Sequence, residues 1–287
     1  MSAPSVLIVG CGDVGGRLAE QLLACNWQVS GLRRNIGKLP AGVAGIAADL
    51  FDARCPDGWP AQAPDYLVYS AAASQHDEAG YQAAYVEGLK HVLGWLAERG
   101  QKPKRLLFVS SSSVYAQQQG EWIDETSVTE PQGYSGTVML EAERLALASG
   151  IPASIVRLTG IYGPGREWLL SQVRQGYRVT QEPPLYANRI HADDAAGLLA
   201  FLLKADAQGR ALEDCYIGVD DAPAALAEVV AWLREYMGVT QWSEQERVRR
   251  TGSKRCSNAR ARALGWAPQY PSYKEGYAAI LAGNDSV

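Results

Sequence analysis

"SVLIVGCGDVGGRLAEQLLACN", residues 5 to 26, decides the fold class. Val6 to Val9 form an uncharged apolar run, the pattern of a strand buried on both faces. Gly10, Gly12 and Gly15 follow in the spacing G-x-G-x-x-G, and Leu18, Leu22 and Leu23 then fall on one side of a helix. A strand, a glycine turn and a helix in that order point backbone N–H groups toward the positive end of the helix, where a pyrophosphate binds. Gly10, Gly12, Asp13, Val14 and Gly15 are therefore the expected dinucleotide contacts. The competing reading is a merely structural glycine turn. The strand before it and the helix after it argue against that.

The same alternation continues outward. "WQVSGL" (27–32), "DYLVYSA" (65–71), "RLLFVSS" (105–111) and "ASIVRLT" (153–159) read as further strands. "YQAAYVEGLKHVLGWLAERG" (81–100) and "TVMLEAERLALAS" (137–149) read as helices between them. Strands that are apolar throughout and separated by helices imply a parallel sheet covered on both faces, an α/β Rossmann-type doubly wound fold. After "GIYGPG" (160–165) the rhythm loosens. A helix from about 193, a strand at 214–221, a helix at 222–237 and an Arg-rich segment at 246–262 follow. The expected division is a nucleotide-binding domain over 1–165, with 188–215 returning to it. Segments 166–187 and 216–287 then make a smaller C-terminal substrate lobe.

Composition narrows the partners. Of 287 residues, 47% are apolar and 20% charged, and the net charge is −4 without any long block of one sign. Neither nucleic acid nor an anionic membrane is the expected partner. The opening residues carry no basic segment before the apolar run, and no stretch approaches the roughly 20 apolar residues of a membrane span. The five cysteines are scattered without C-x-x-C spacing, as in reduced cytoplasmic proteins, and the three histidines share no ligand spacing. No metal site is expected.

The end of the second strand selects the dinucleotide. An NAD site usually places an acid about 20 residues beyond the first glycine, on the ribose 2′-OH. Here the chain reads "GLRRN" (31–35), and Arg33 and Arg34 suit a 2′-phosphate. NADP is favoured over NAD on that ground, the alternative being a solvated basic pair. Asp49 in "AADL" either accepts a hydrogen bond from the adenine amino group or caps a turn.

Several stretches, in order and at matching spacing, resemble the extended short-chain dehydrogenase/reductases of the NAD(P)-dependent epimerase/dehydratase family. "YSAAAS" (69–74) resembles the alanine-rich segment beside the cofactor, which implies cofactor contacts at Ala71 and Ala72. "FVSSSSVYA" (108–116) resembles the strand end that carries the catalytic Ser or Thr, "RLTGIYGPG" (157–165) the Arg and Y-G-P-G element, and "NRIHADDAA" (188–196) the I-H-V-D-D motif. "SNARARALGWAPQYPSYKEGY" (257–277) resembles the closing segment of the substrate lobe. Val9 stands where the extended pattern usually has Gly, and the chain is short for that group, so an atypical branch is implied. By the same resemblance, helices 81–100 and 137–149 are those of a homodimer interface.

The chemistry implied by the resemblance needs three side chains: a Ser or Thr to orient the substrate oxygen, a Tyr to move the proton, and a Lys at i+4 from it. A free Tyr has a pKa of about 10, so only about 0.1% is tyrosinate at pH 7. Lowering that by about three units takes roughly 4 kcal/mol, which a neighbouring cation can supply. Ser111 matches the serine. Two registers compete for the tyrosine. In one, Tyr134 is the acid and Val138 stands in the lysine place; in the other, fixed by "AER" (142–144), the pair is Ser135 and Met139. Neither contains the lysine. Tyr162 and Arg189 are candidate substrate contacts, while Arg157 and His191 read most simply as structural hydrogen-bonding groups. Two functions are therefore expected to compete. One is an NAD(P)-dependent oxidoreductase or epimerase acting on a small polar or sugar-type substrate. The other is a weakly active or inactive NADP-binding redox sensor or regulator.

Overall fold

A computed structural model describes residues 3–243 and 253–284. In chain order the elements begin with β1 (Ser5–Val9), α1 (Asp13–Leu23), β2 (Gln28–Arg33), β3 (Ala44–Ala47), β4 (Tyr66–Tyr69), α2 (Glu78–Tyr81), α3 (Gly88–Glu98) and β5 (Arg105–Ser111). β6 (Glu121–Ile123), α4 (Tyr134–Leu147), β7 (Ala153–Leu158), β8 (Gly160–Tyr162), α5 (Trp168–Arg174), β9 (Tyr186–Ala187) and β10 (Arg189–His191) follow. The last are α6 (Ala192–Ala207), β11 (Cys215–Gly218), β12 (Ala224–Ala225), α7 (Leu226–Tyr236), β13 (Lys254–Cys256), α8 (Ala259–Leu264) and α9 (Tyr273–Asn284). Of the Arg-rich segment 246–262, residues 246–252 lie outside the described residues.

The central sheet has seven parallel strands in the order β11-β7-β5-β4-β1-β2-β3. The order reverses direction at β1, where β1 lies between β2 and β4. In doubly wound sheets that switch point opens the crevice where nucleotides bind. Every residue of β4 and β7 is buried, as strands covered on both faces must be. Helix α1 buries Val14, Leu18, Ala19 and Leu22 along one stripe. Each fully buried leucine there stabilises the fold by roughly 1.5–3 kcal/mol. Asn26, at φ 60°, ends this helical run in the left-handed conformation that Asn tolerates, and the Trp27 N–H bonds back to the Leu22 carbonyl.

The helix expected over 81–100 is interrupted. Residues Gln82–Glu87 form a π turn between α2 and α3. The Tyr69 hydroxyl, from the end of β4, donates to the Ala84 carbonyl at 2.5 Å and so competes for an acceptor of the ordinary i→i−4 ladder.

The chain divides into two compact units. The first comprises the chain to Tyr115, Val128–Arg157 and Ala196–Tyr216, and the second Ala116–Ser127, Leu158–Ala195 and everything from Ile217. The boundary therefore lies earlier than the rhythm of the sequence suggests. Residues 116–127 join the second unit because β6 pairs in parallel with β13, and 158–165 join it because β8 pairs with β10. Tyr162, Leu170, Val173, Val229, Leu233 and Tyr277 belong to the core of this second unit.

Candidate active site and cofactor-binding turn

The glycine turn is built from backbone. The Gly10 and Cys11 N–H groups both donate to the Leu32 carbonyl, at 3.0 and 3.1 Å, which ties the end of β1 to β2. Gly10 sits at φ +79°, and a Cβ on it would lie 2.4 Å from the backbone of Ala71. Only glycine satisfies both conditions, so Ala71 approaches the turn directly. Gly12 caps α1 without a side chain, and no side chain hydrogen-bonds into the cap. The N–H groups of Asp13, Val14 and Gly15 lie in the first turn of α1, where the helix dipole adds positive potential. The carboxylate of Asp13 pairs with Arg17 at 2.8 Å. A pyrophosphate fits this set of donors.

Arg33 lies across the same turn. Its Nη1 donates to the carbonyls of Cys11 and Lys38, both at 3.1 Å. Arg34 is exposed and makes no ion pair or hydrogen bond among the described residues. Asp49 accepts from the Phe51 N–H at 3.1 Å and lines a surface depression of about 290 Å³ together with Ala48, Asp52, Arg54 and Asp57. Ala72 directly follows Ala71 on the segment beyond β4.

The expected catalytic residues come from β5 and α4. The Ser111 Oγ accepts from the Ser113 N–H at 3.1 Å and caps the short turn Ser112–Val114. Its hydroxyl proton remains available to donate. Helix α4 packs hard against this turn: a Cβ on Gly136 would lie 2.3 Å from the Ser113 carbonyl oxygen. Behind the turn is a closed set of charges. The Ser110 Oγ donates to Glu143 at 2.5 Å, and Arg157 holds the same carboxylate through Nε at 2.9 Å and Nη2 at 2.7 Å. The third nitrogen of Arg157 donates to the Tyr115 hydroxyl at 2.7 Å. Burial opposes the charge on Arg157, but the hydrogen bonds and charge of Glu143 outweigh it and raise its pKa. The guanidinium is thus committed to scaffolding, as a structural reading of Arg157 requires. Glu143 as its partner is not evident in sequence, because the two residues stand on different elements.

Both registers for the missing lysine end in buried apolar groups. Val138 and Met139 are each 3% exposed. Tyr134 opens α4 and its hydroxyl donates to the His76 carbonyl at 2.5 Å, while its ring meets Tyr81 edge-on at 5.4 Å. Ser135 is half-buried one residue on.

The two candidate substrate residues belong to the second unit. Tyr162 is buried, packs on Tyr277 at 4.5 Å, and donates to the Ser272 carbonyl at 3.4 Å. Arg189 is buried too. Its Nη1 donates to the Ala187 carbonyl at 2.7 Å, whereas its Nη2 has no hydrogen-bond partner among the described residues. Burial pushes the nearby Asp220 carboxyl up to about 7, against the opposing charge of Arg189. The His191 Nδ1 lies 3.2 Å from the Asp193 backbone nitrogen and 3.5 Å from the Asp193 carboxylate. Among the described residues no cluster has the makings of a metal site, and no helix is long and apolar enough to cross a membrane.

Known proteins match this arrangement. The model of the NAD dependent epimerase/dehydratase family matches residues 6–218. A 3-diazoavenalumate denitrifying reductase of Streptomyces is 27% identical over 310 residues, 94% of this chain and 98% of that protein. A provisionally named NAD-dependent epimerase/dehydratase from Methylobacillus flagellatus is 35% identical, with a TM-score of 0.80 over 99% of this chain and 100% of that one. MoeE5, solved in complex with UDP-glucose and NAD, shares the fold at 22% identity, with a TM-score of 0.78 over 98% of this chain and 99% of that one.

Proposed function

The chain belongs to the NAD-dependent epimerase/dehydratase family, and on that premise we propose that it is an NADP(H)-dependent oxidoreductase of a small polar or sugar-type substrate, working without the tyrosine–lysine relay. The observation that carries this reading is the pair of arginines at the end of β2. Arg33 is pinned over the glycine turn through Nη1, which leaves Nε and Nη2 to donate, and Arg34 beside it has no partner among the described residues. Two guanidinium groups at the ribose end of the turn match a 2′-phosphate and leave no acid for a ribose 2′-OH.

When bound, the nicotinamide supplies or accepts a hydride. The residues of the chain supply the rest. The amides of residues 13–15 would hold the pyrophosphate. Gly10 admits the close approach, and Ala71 and Ala72 flank it. The Ser111 hydroxyl, oriented by its bond to the Ser113 N–H, donates to a substrate oxygen. Tyr162 and Arg189 serve the second unit from its interior rather than as first contacts, because both are buried. The Streptomyces relative is a reductase by name, which favours reduction over epimerisation.

The test is cofactor discrimination. Arg33→Ala combined with Arg34→Ala is expected to weaken NADPH binding by about 10–100-fold, the loss of one or two charge-assisted contacts, and NADH binding by less than about threefold. An equal loss for both overturns the 2′-phosphate assignment. A second reading, an NADP-binding redox sensor with little turnover, is favoured by the bond that commits the Tyr134 hydroxyl to the His76 carbonyl. Intact NADPH binding with no turnover across a panel of carbonyl substrates would favour it.

A further inference from the structure

Residues 71–76 run from the glycine turn toward α2 without regular structure. Their first residue, Ala71, abuts Gly10. At one end Ser70 is fixed to β1 through the Val9 carbonyl at 2.8 Å, and at the other Asp77 caps α2 through the Gly80 N–H at 2.8 Å. Between those anchors, two hydrogen bonds among the described residues hold the stretch, and both use tyrosine hydroxyls. The Ala73 N–H donates to Tyr85 at 3.4 Å, and the Tyr134 hydroxyl donates to the His76 carbonyl at 2.5 Å. Tyr85 lies in the π turn, and Tyr134 is the first residue of α4. The Tyr81 ring bridges them, 5.2 Å from Tyr85 and 5.4 Å from Tyr134.

We propose that Tyr85 and Tyr134 form a two-point latch on residues 71–76, and that Tyr134 acts in this protein by holding that stretch against the cofactor turn rather than by moving a proton. The inference rests on the dinucleotide reading above. A hydroxyl that donates to a main-chain carbonyl has spent its single proton on that bond. The residue that one of the two registers makes the acid is here a fixed donor, and buried Val138 and Met139 offer it no charge in return. The π turn fits the same role. By interrupting the helical ladder it changes the phase of the helix between Tyr81 and Gly88, the segment that carries Tyr85. A latch at the cofactor turn sets how fast the cofactor leaves, so its removal should appear in release rate before it appears in any chemical step.

Tyr134→Phe keeps the ring contact and deletes the donor to the His76 carbonyl; Tyr85→Phe deletes the acceptor of the Ala73 N–H. Two readouts apply. In the cofactor-free protein, exchange of the Ala73 amide is expected to rise about tenfold or more in Tyr85→Phe, which removes its acceptor, and severalfold in Tyr134→Phe, which loosens the far end of the stretch. In stopped-flow fluorescence, NADPH release is expected to quicken about tenfold in Tyr134→Phe. His76→Ala should change neither, because the acceptor is a main-chain carbonyl. Exchange and release both within twofold of the unaltered protein would overturn the proposal, as would unchanged exchange alongside a hundredfold loss of turnover. Faster exchange with unchanged release would overturn the link to the cofactor. If Tyr134→Phe fails to fold, Tyr85→Phe decides by the same two readouts. Failure of the unaltered protein to bind NADPH would overturn the functional reading instead, while the exchange measurement, made without cofactor, would still decide the latch.

Discussion

The β1–α1 turn and the β5–α4 junction share one unit and one sheet but differ in what they are made of. The turn is backbone: Gly10 against Ala71, an uncapped helix start, and two N–H groups on the Leu32 carbonyl. The junction is side chain: Ser110, Glu143, Arg157 and Tyr115 form its scaffold, while Ser111, Tyr134 and the residue one turn later would form its chemistry. A backbone site keeps its function as long as its glycines keep their conformation. A side-chain site can keep its scaffold and lose its chemistry, because the two jobs belong to different residues. Helix α4 shows this separation. Gly136 and Glu143 still fix its depth and phase, yet its buried face presents Val138 and Met139 where a cation would be needed.

The largest expected effect comes from breaking the scaffold. Glu143→Gln leaves the Arg157 guanidinium buried without a counter-charge, which typically costs about 3–5 kcal/mol. In a chain of this size that corresponds to a fall in Tm of about 10 °C. Below that Tm, NADPH affinity should change by less than about threefold, because the turn does not depend on the pair. Loss of NADPH binding without a change in Tm would show that the two regions are not separable.

A smaller effect sharpens the role of pairing. In the second unit, Asp220 is a buried carboxyl that makes no ion pair among the described residues, and burial pushes it up to about 7 against the charge of Arg189. Its folded value exceeds its unfolded one, so the native state holds a proton that the unfolded chain releases between about pH 4 and 7. Stability from this group is therefore present at low pH and lost as the pH rises through 7. Asp220→Asn keeps an acceptor for the Ala222 N–H and removes the titration. Thermal unfolding should show it more stable than the unaltered protein by about 1–3 kcal/mol at pH 8, with the difference gone near pH 4. The same difference at both pH values would refute the assignment.

The parts legible in sequence were those governed by local pattern. The G-x-G-x-x-G spacing fixed the turn, and buried apolar runs fixed the strands, because both depend on neighbours in the chain. Parts made by distant residues were not legible. Glu143 and Arg157 meet only once α4 packs beside β7. Tyr69 interrupts the helix after α2 through a hydroxyl from the end of β4. Residues 116–127 joined the second unit because Glu121–Ile123 found a partner strand at Lys254–Cys256, far along the chain. The absence of a lysine between Gln132 and Gly150 was visible in the sequence, but not that the Tyr134 hydroxyl had another partner.

The most direct measurement is a structure with NADPH bound. The account predicts the pyrophosphate on the amides of residues 13–15, the 2′-phosphate against Arg33 and Arg34, and the Tyr134 hydroxyl still on the His76 carbonyl. A Tyr134 hydroxyl turned away from His76, in hydrogen-bond reach of the nicotinamide ribose and beside a cation, would contradict it.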